Sequence, residues 1–404
     1  MEDTNKKFSL NEVKSSFILK RIFDNLERNK FLNLIRYSKI LQKRLEMNIE
    51  DYKNEYQRVE LEIIPTGNNF NIFINQFEKE SYYHIYINDN KEELKRNYLV
   101  RNDKAKKIKV ILDGRIKSFS KLFENCVEIK KITFNKFNRK DIKDMSYMFA
   151  DCQSLKEIIF TKFRTDNVTN MEFMFNRCVA LKQLDLSNFN TSNLENMNNM
   201  FSDCSVIEKI DFTNFKTDKV KEMTFMFSYC TKLKELDLSS FNTSNVKDMN
   251  SAFKGCESLK ELNLSNFNTT KVIDMKFMFF ECLNLEKLDI SNFNTSSVIY
   301  MSSMFSKCNS LNNLNLSNFN TSKVVQMDNM FNGCYKLEKL DLSSFDTNNV
   351  TNMRKMFYDC RNLKELDLSS FSSKNLDDKE EMFIGCSNLK KFICSDQEIK
   401  NSKY

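Results

Sequence analysis

Along most of the chain the apolar residues change period twice and then start again. In LKELDLSSFNTSNVKDMNSAFKGC, residues 233–256, Leu236 and Leu238 alternate with Glu235, Asp237 and Ser239. That period of two predicts a short strand with one wet face. Val246, Met249 and Phe253 then follow at steps of three and four, which predicts a short helix, with 3₁₀ character allowed. Thr243 precedes this run, as Thr165, Thr191, Thr217, Thr269, Thr295, Thr321 and Thr347 do in their own copies. A threonine there suits capping of the free N–H groups of the next segment.

The whole pattern returns every 26 residues without insertion or deletion. Eleven cysteines mark it, from Cys126 through Cys152, Cys178 and onward to Cys386. A phenylalanine lies three residues before each, from Phe123 to Phe383. Eighteen of the twenty methionines fall four or seven residues before a cysteine, and only Met1 and Met47 are left over. No single copy can bury both of its apolar faces, so the copies must stack. Stacked strands sit about 4.8 Å apart, and eleven copies would build one parallel sheet roughly 50 Å long. The expected fold is an α/β solenoid, with that sheet on the concave face and short helices on the convex face.

Composition narrows the functional classes. One proline and five glycines leave no flexible linker. Residues 1–117 carry 24 Lys/Arg against 18 Asp/Glu, and the rest is nearly neutral, which argues against nucleic acid or a membrane surface as partner of the repeats. No signal-peptide pattern and no stretch of about 18 apolar residues is present, so a cytoplasmic chain with no membrane span is expected. One cysteine per long repeat is not a disulfide framework, and the column reads as reduced, buried thiols.

The Leu-x-x-Leu-x-Leu strand followed by Met-x-x-Met-Phe-x-x-Cys resembles the BspA-like, or Mycoplasma lipoprotein-associated, branch of the leucine-rich repeats. LKELDLSSFNTSNV (233–246) and LKELNLSNFNTTKV (259–272) carry the resemblance, which covers about 116–394. It implies a leucine-rich-repeat solenoid. It also implies surface adhesion as one function class, since family members in bacteria are commonly secreted adhesins.

The sequence divides into an N-terminal helical segment (1–57), a short β-rich capping region (58–115), the eleven repeats (116–394) and a polar tail (395–404). Within the first, ILKRIFDNLERNKFLNLIRYSKILQKRL resembles an F-box. That resemblance implies a Skp-type adaptor held by Leu19, Ile22, Phe23 and Leu26, and a role as substrate receptor of a ubiquitin ligase. A plain helical cap is the other reading.

No catalytic residue, metal ligand or cofactor site emerges. His84 is the single histidine, cysteines 26 apart do not have zinc spacing, and five scattered glycines make no phosphate loop. The methionines share the helical phase of Phe and Val and read as core. The informative surface is the concave sheet. Its middle column is Asp185, Asp211, Asp237, Asn263, Asp289, Asn315, Asp341 and Asp367, flanked by Lys209, Lys287 and Lys339 and by Glu235, Glu261 and Glu365. An acidic, serine-edged groove of this kind suits an extended or basic partner segment. The expected function is a monomeric, non-enzymatic protein-binding scaffold.

Overall fold

A computed structural model describes residues 13–402, apart from 16–17, 20, 23–33, 35–36, 46–48 and 68–70. Helices α1 (Lys39–Arg44) and α2 (Ile49–Tyr56) precede the strands. Ser38 opens α1 by accepting the Leu41 N–H on its hydroxyl. Three antiparallel-paired strands follow: β1 (Val59–Pro65), β2 (Tyr83–Ile87) and β3 (Ile108–Leu112). β1 also pairs antiparallel with β4 (Ile129–Phe137), and β4 pairs in parallel with β5 (Glu157–Phe160). The sheet order β2-β3-β1-β4-β5 thus joins the cap to the first coils. Gly114 permits the α2 side of this junction, since a Cβ there would stand 2.5 Å from the Asn54 carbonyl oxygen.

From β4 onward the chain is a β-solenoid. Lys131 pairs with Glu157, Gln183 with Lys209 and Glu261 with Lys287, each 26 residues apart. The later strands are β6 (Gln183–Asp185), β7 (Lys209–Asp211), β8 (Glu261–Asn263), β9 (Lys287–Asp289), β10 (Lys339–Leu340), β11 (Glu365–Leu368) and β12 (Lys391–Cys394). They do not form the single long sheet that the repeat predicts. β6–β7, β8–β9 and β10–β11–β12 are separate sheets, and residues 235–238 and 313–316 run between them without ladder. Strands of two to four residues have so few rungs that one lengthened bond ends the pairing. The column that stays continuous lies elsewhere in each coil, as parallel bridges from Asp144–Asn170 to Asn352–Asp378.

The short convex helices are also replaced. Each Val-x-x-Met-x-x-Met-Phe-x-x-Cys segment is a string of turns. Half of its N–H groups close i→i−3 turns, as Met278 does onto Met275 O at 3.3 Å and Cys282 onto Phe279 O at 3.1 Å. The alternate ones leave the coil: Met275 N–H donates to Tyr300 O, Phe277 to Ser302 O and Phe279 to Met304 O. A helix would use all of these donors internally and leave nothing to bond the coils. Two left-handed residues per coil prevent helix outright, five and one before the cysteine, for example Phe277 (φ 56°) and Glu281 (φ 59°). The apolar steps of three and four persist because i→i−3 turns place side chains inward at nearly the same spacing.

The interior holds the columns that the sequence marked. Met, Phe and Cys of the central coils are fully buried, as in Met275, Met278, Phe279 and Cys282. The phenylalanines stack from coil to coil, with centroids 5.7 Å apart for Phe253–Phe279 and 5.6 Å for Phe279–Phe305. From Cys152 to Cys386 the thiol of each coil donates to the phenylalanine carbonyl of the preceding coil: Cys256 Sγ to Phe227 O at 3.3 Å, Cys282 Sγ to Phe253 O at 3.2 Å. The threonines do not cap a helix. Thr269 Oγ1 donates to Asn294 O at 2.9 Å and accepts from Asn294 N–H at 2.8 Å, which clips one coil to the next. Arg139 takes the threonine position in the first coil, fully buried, with Nε on Asp141 at 2.7 Å.

The two ends differ. At the N-terminal end Asn75 covers the acceptor row: its N–H donates to Leu122 O, and its Nδ2 to Lys121 O and Glu124 O. At the C-terminal end the expected polar tail contains a helix, α3 (Gln397–Asn401). Asp396 caps its first turn through the Glu398 and Ile399 N–H groups, and Ile399 is fully buried. One well-placed apolar residue is enough to turn the tail back onto the last coil.

Two measurements check this reading. Thr269→Val should lower unfolding free energy by about 1–3 kcal/mol in a urea titration, because it removes both halves of the clip, and Thr269→Ser should cost less. An unchanged midpoint for the valine variant contradicts the clip. Burial pushes the thiols of Cys204, Cys282 and Cys334 up to about 12. Native-state alkylation at neutral pH should therefore modify only Cys386 and Cys394, the two thiols that are not fully buried. Rapid labelling of the others would refute their burial.

Candidate functional site

The strand face carries exposed polar side chains in register over many coils. Strand alternation buries Leu184, Ile210, Leu262 and Leu340 and turns the residue after each one outward. The outward column consists of Asp185, Asp211, Asp237, Asn263, Asp289, Asn315, Asp341 and Asp367, so the structure brings all eight sequence candidates into one line. All are exposed except Asp211, which is half-buried. Ile159 and Ile393, 36% and 43% exposed, bound the column at its two ends.

Each member ends its strand in the same way. One side-chain oxygen accepts the N–H two residues on: Asp237 from Ser239 at 2.9 Å, Asn263 from Ser265 at 2.9 Å, Asp289 from Ser291 at 3.0 Å, Asp341 from Ser343 at 3.0 Å. These are Asx-turns, and they explain why only Asp and Asn occupy the column. The backbone N–H of Ser239 and Ser343 holds the Asp237 and Asp341 carboxyls below their ordinary 3.8, and the Ser291 hydroxyl does so for Asp289. The second carboxylate oxygen has no such partner. No ion pair among the described residues joins any aspartate of the column.

Most of the flanking charges on the strands pair between coils, while Lys209 and Glu235 form no ion pair among the described residues. Lys131 lies 2.8 Å from Glu157, Lys287 is 2.5 Å from Glu261, and Glu365 sits 3.8 Å from Lys339 and 3.7 Å from Lys391. A further row adds Lys234–Glu208 at 2.6 Å and Lys364–Glu338 at 2.7 Å. The signal was available as an alternation of sign at a spacing of 26. Open depressions lie along this face, one from Lys209 to Ser240 and another from Glu261 to Asn315.

Of the adaptor candidates, Leu19 is fully buried and Ile22 half-buried. Phe23 and Leu26 lie outside the described residues. His84 Nδ1 lies 3.0 Å from Glu93 Oε1, a pairing within the cap. Among the described residues no group of three or more His, Cys, Asp or Glu is placed to hold a metal ion, and no helix is long and apolar enough to cross a membrane.

The turn geometry has a pH consequence. A carboxyl whose folded pKa is depressed contributes stability above its unfolded pKa and loses it as pH falls through the folded value. Melting of the wild type should drop as pH falls below about 4. Asp237→Asn, Asp289→Asn and Asp341→Asn together should flatten that drop. An identical acid profile would show that the carboxylates do not stabilise the turns.

The family model described as "Mycoplasma protein of unknown function, DUF285" matches three overlapping segments, 117–236, 201–312 and 281–396. Similar solved structures include a leucine-rich repeat protein from Bacteroides ovatus ATCC 8483, 18% identical over 70% of this chain and 82% of that one, with a TM-score of 0.31. Another is a leucine rich cell surface protein from Faecalibacterium prausnitzii A2-165, 14% identical over 70% of this chain and 78% of that one, with a TM-score of 0.29. No curated protein matches the chain. The family matches run across the coils without a gap, and on that footing the chain belongs to the DUF285 family.

Proposed function

We propose that this chain is a non-enzymatic scaffold that holds a protein partner along its strand face. The observation that carries the reading is the aspartate column. Asp237, Asp289 and Asp341 are exposed, each with one oxygen pinned in its own Asx-turn and no ion pair among the described residues. The pinned oxygen fixes the orientation of the free one, so little side-chain freedom is lost on binding. Beside Asp289 and Asp341, Lys287 pairs with Glu261 and Lys339 with Glu365 between coils, which leaves these aspartates without those cations. An extended segment rich in Lys, Arg or free N–H groups complements such a line. Asn263 and Asn315 interrupt it and relieve the repulsion of like charges stacked about 5 Å apart.

The triple variant Asp237→Asn, Asp289→Asn, Asp341→Asn separates binding from folding, because Asn263 and Asn315 already make the same turn. Affinity capture from the native cell should recover a partner with the wild type. It should recover at least about tenfold less with the triple variant, a loss of about 1.4 kcal/mol or more. The thermal midpoint at neutral pH should stay within a few degrees of wild type. Undiminished capture by the triple variant overturns the reading.

A further inference from the structure

Away from the strand face, one lysine has surroundings that no other described cation shares. Lys254 Nζ lies 5.2 Å from the ring centroid of Tyr229 and 5.4 Å from those of Phe277 and Phe280. Other cations over rings, such as Lys121, Lys276, Lys355 and Arg361, face one ring each. The Lys254 ammonium has neither a carboxylate nor a hydrogen-bond partner among the described residues.

The backbone holds the three rings in place across three coils. Tyr229 N–H donates to Lys254 O at 2.6 Å, Gly255 N–H to Phe280 O at 2.7 Å, and Phe280 N–H to Phe277 O at 3.1 Å. Gly255 clears the space, since a Cβ there would stand 2.5 Å from the Tyr229 ring. Tyr229 and Phe277 both have φ of 56°, a left-handed conformation that bulky side chains adopt at a cost. The Phe277 column also carries Tyr147, Phe173 and Phe225, while the Tyr229 column carries Asp151, Asp203 and Asp359 in other coils. What sets this place apart is three rings around one cation that has no other partner among the described residues.

We propose that Tyr229, Phe277 and Phe280 form a binding site for a quaternary ammonium group, with Lys254 as the built-in occupant that the ligand displaces. The ring faces attract cations through their quadrupoles. A quaternary ammonium has no N–H to leave unsatisfied between rings, whereas a lysine ammonium gives up hydration there and regains it by swinging out on its stem. All four side chains are half-buried, so the site is open to solvent. The second cation at the rim, Lys307, is 5.2 Å from the Phe280 ring and 2.7 Å from Glu281, which offsets its charge.

The test is a titration of the full chain with choline chloride, followed by calorimetry. Lys254→Ala should bind choline at least about tenfold more tightly than wild type, because the internal competitor is gone. Adding Phe280→Leu, or in parallel Tyr229→Leu, to that variant should abolish the gain while the thermal midpoint stays close to that of Lys254→Ala. The uncharged isostere 3,3-dimethylbutanol should not bind. Phosphatidylcholine vesicles distinguish the source: co-sedimentation of Lys254→Ala points to a lipid headgroup, and binding of free choline alone to a soluble ligand. Absence of saturable choline binding by Lys254→Ala, equal binding of the neutral isostere, or equal affinity in wild type and Lys254→Ala overturns the proposal.

Discussion

Every coil of this protein directs backbone hydrogen bonds to its neighbours, and the rest of the structure follows from that. The turn segment sends alternate N–H groups forward by 25 residues, and a 26-residue repeat without insertions keeps those donors and acceptors in line. A single inserted residue would move each donor off its acceptor. Net, such bonds contribute only about 1 kcal/mol each. Burying a Met or Phe contributes about 1.5–3 kcal/mol. Apolar burial therefore supplies most of the stability, and the hydrogen bonds fix the register in which it occurs. The Cys and Thr columns serve the same register. Each places a small side chain where it can bond a backbone group of a neighbouring coil.

The core was legible in the sequence because a strict period turns composition into columns. Met, Phe, Leu and Cys sorted themselves, and their inward orientation follows from the strand alternation. The backbone conformation was less legible. Apolar steps of three and four fit a helix, and they also fit i→i−3 turns whose remaining donors point away. The distinguishing sign lay in the position before the cysteine, which holds Asn125, Asp151, Asp203, Gly255, Gly333, Asp359 and Gly385. Those residue types tolerate positive φ. Arg177, Tyr229, Glu281 and Lys307 occupy the same column and obscure the pattern. The terminal helix was missed for a related reason: one cap, Asp396, and one apolar anchor, Ile399, are too little to show as periodicity.

In the turn row every coil donates forward, so this row has a direction and its two ends are chemically different. The first coil leaves carbonyl oxygens facing outward, and Asn75 takes those of Leu122 and Glu124 through its backbone N–H and its side-chain amide. The last coil leaves N–H groups, those of Glu381, Phe383 and Gly385, without partners among the described residues. Donor and acceptor ends of two copies would match in spacing, since all coils are alike. Covering one end is sufficient to stop head-to-tail stacking, because the open end then has no complement. This accounts for a cap that joins the solenoid through a full antiparallel pairing of β1 with β4, while α3 at the other end is a single short turn over Ile399.

The aspartate column shows why a regular surface says less about its partner than a variable one. Asp or Asn stands there because the strand must end in a turn, and the side-chain oxygen that accepts the i+2 N–H is supplied equally well by either. Its periodicity thus reports on the fold first. Selectivity for a partner has to arise where the fold leaves the residue free. Two residues earlier the same face carries Lys209, Glu235, Glu261, Lys287, Asn313, Lys339 and Glu365 in no fixed order. The Asx column sets the spacing of acceptors that any partner meets, and the order of sign beside it decides which partner fits. The aromatic cluster around Lys254 obeys the same rule on the turn side. Its columns change residue type freely from coil to coil, with Ser251 and Ser303 beside Phe277 and Asp203 and Gly255 beside Tyr229, so the repeat does not require three rings to meet around one lysine.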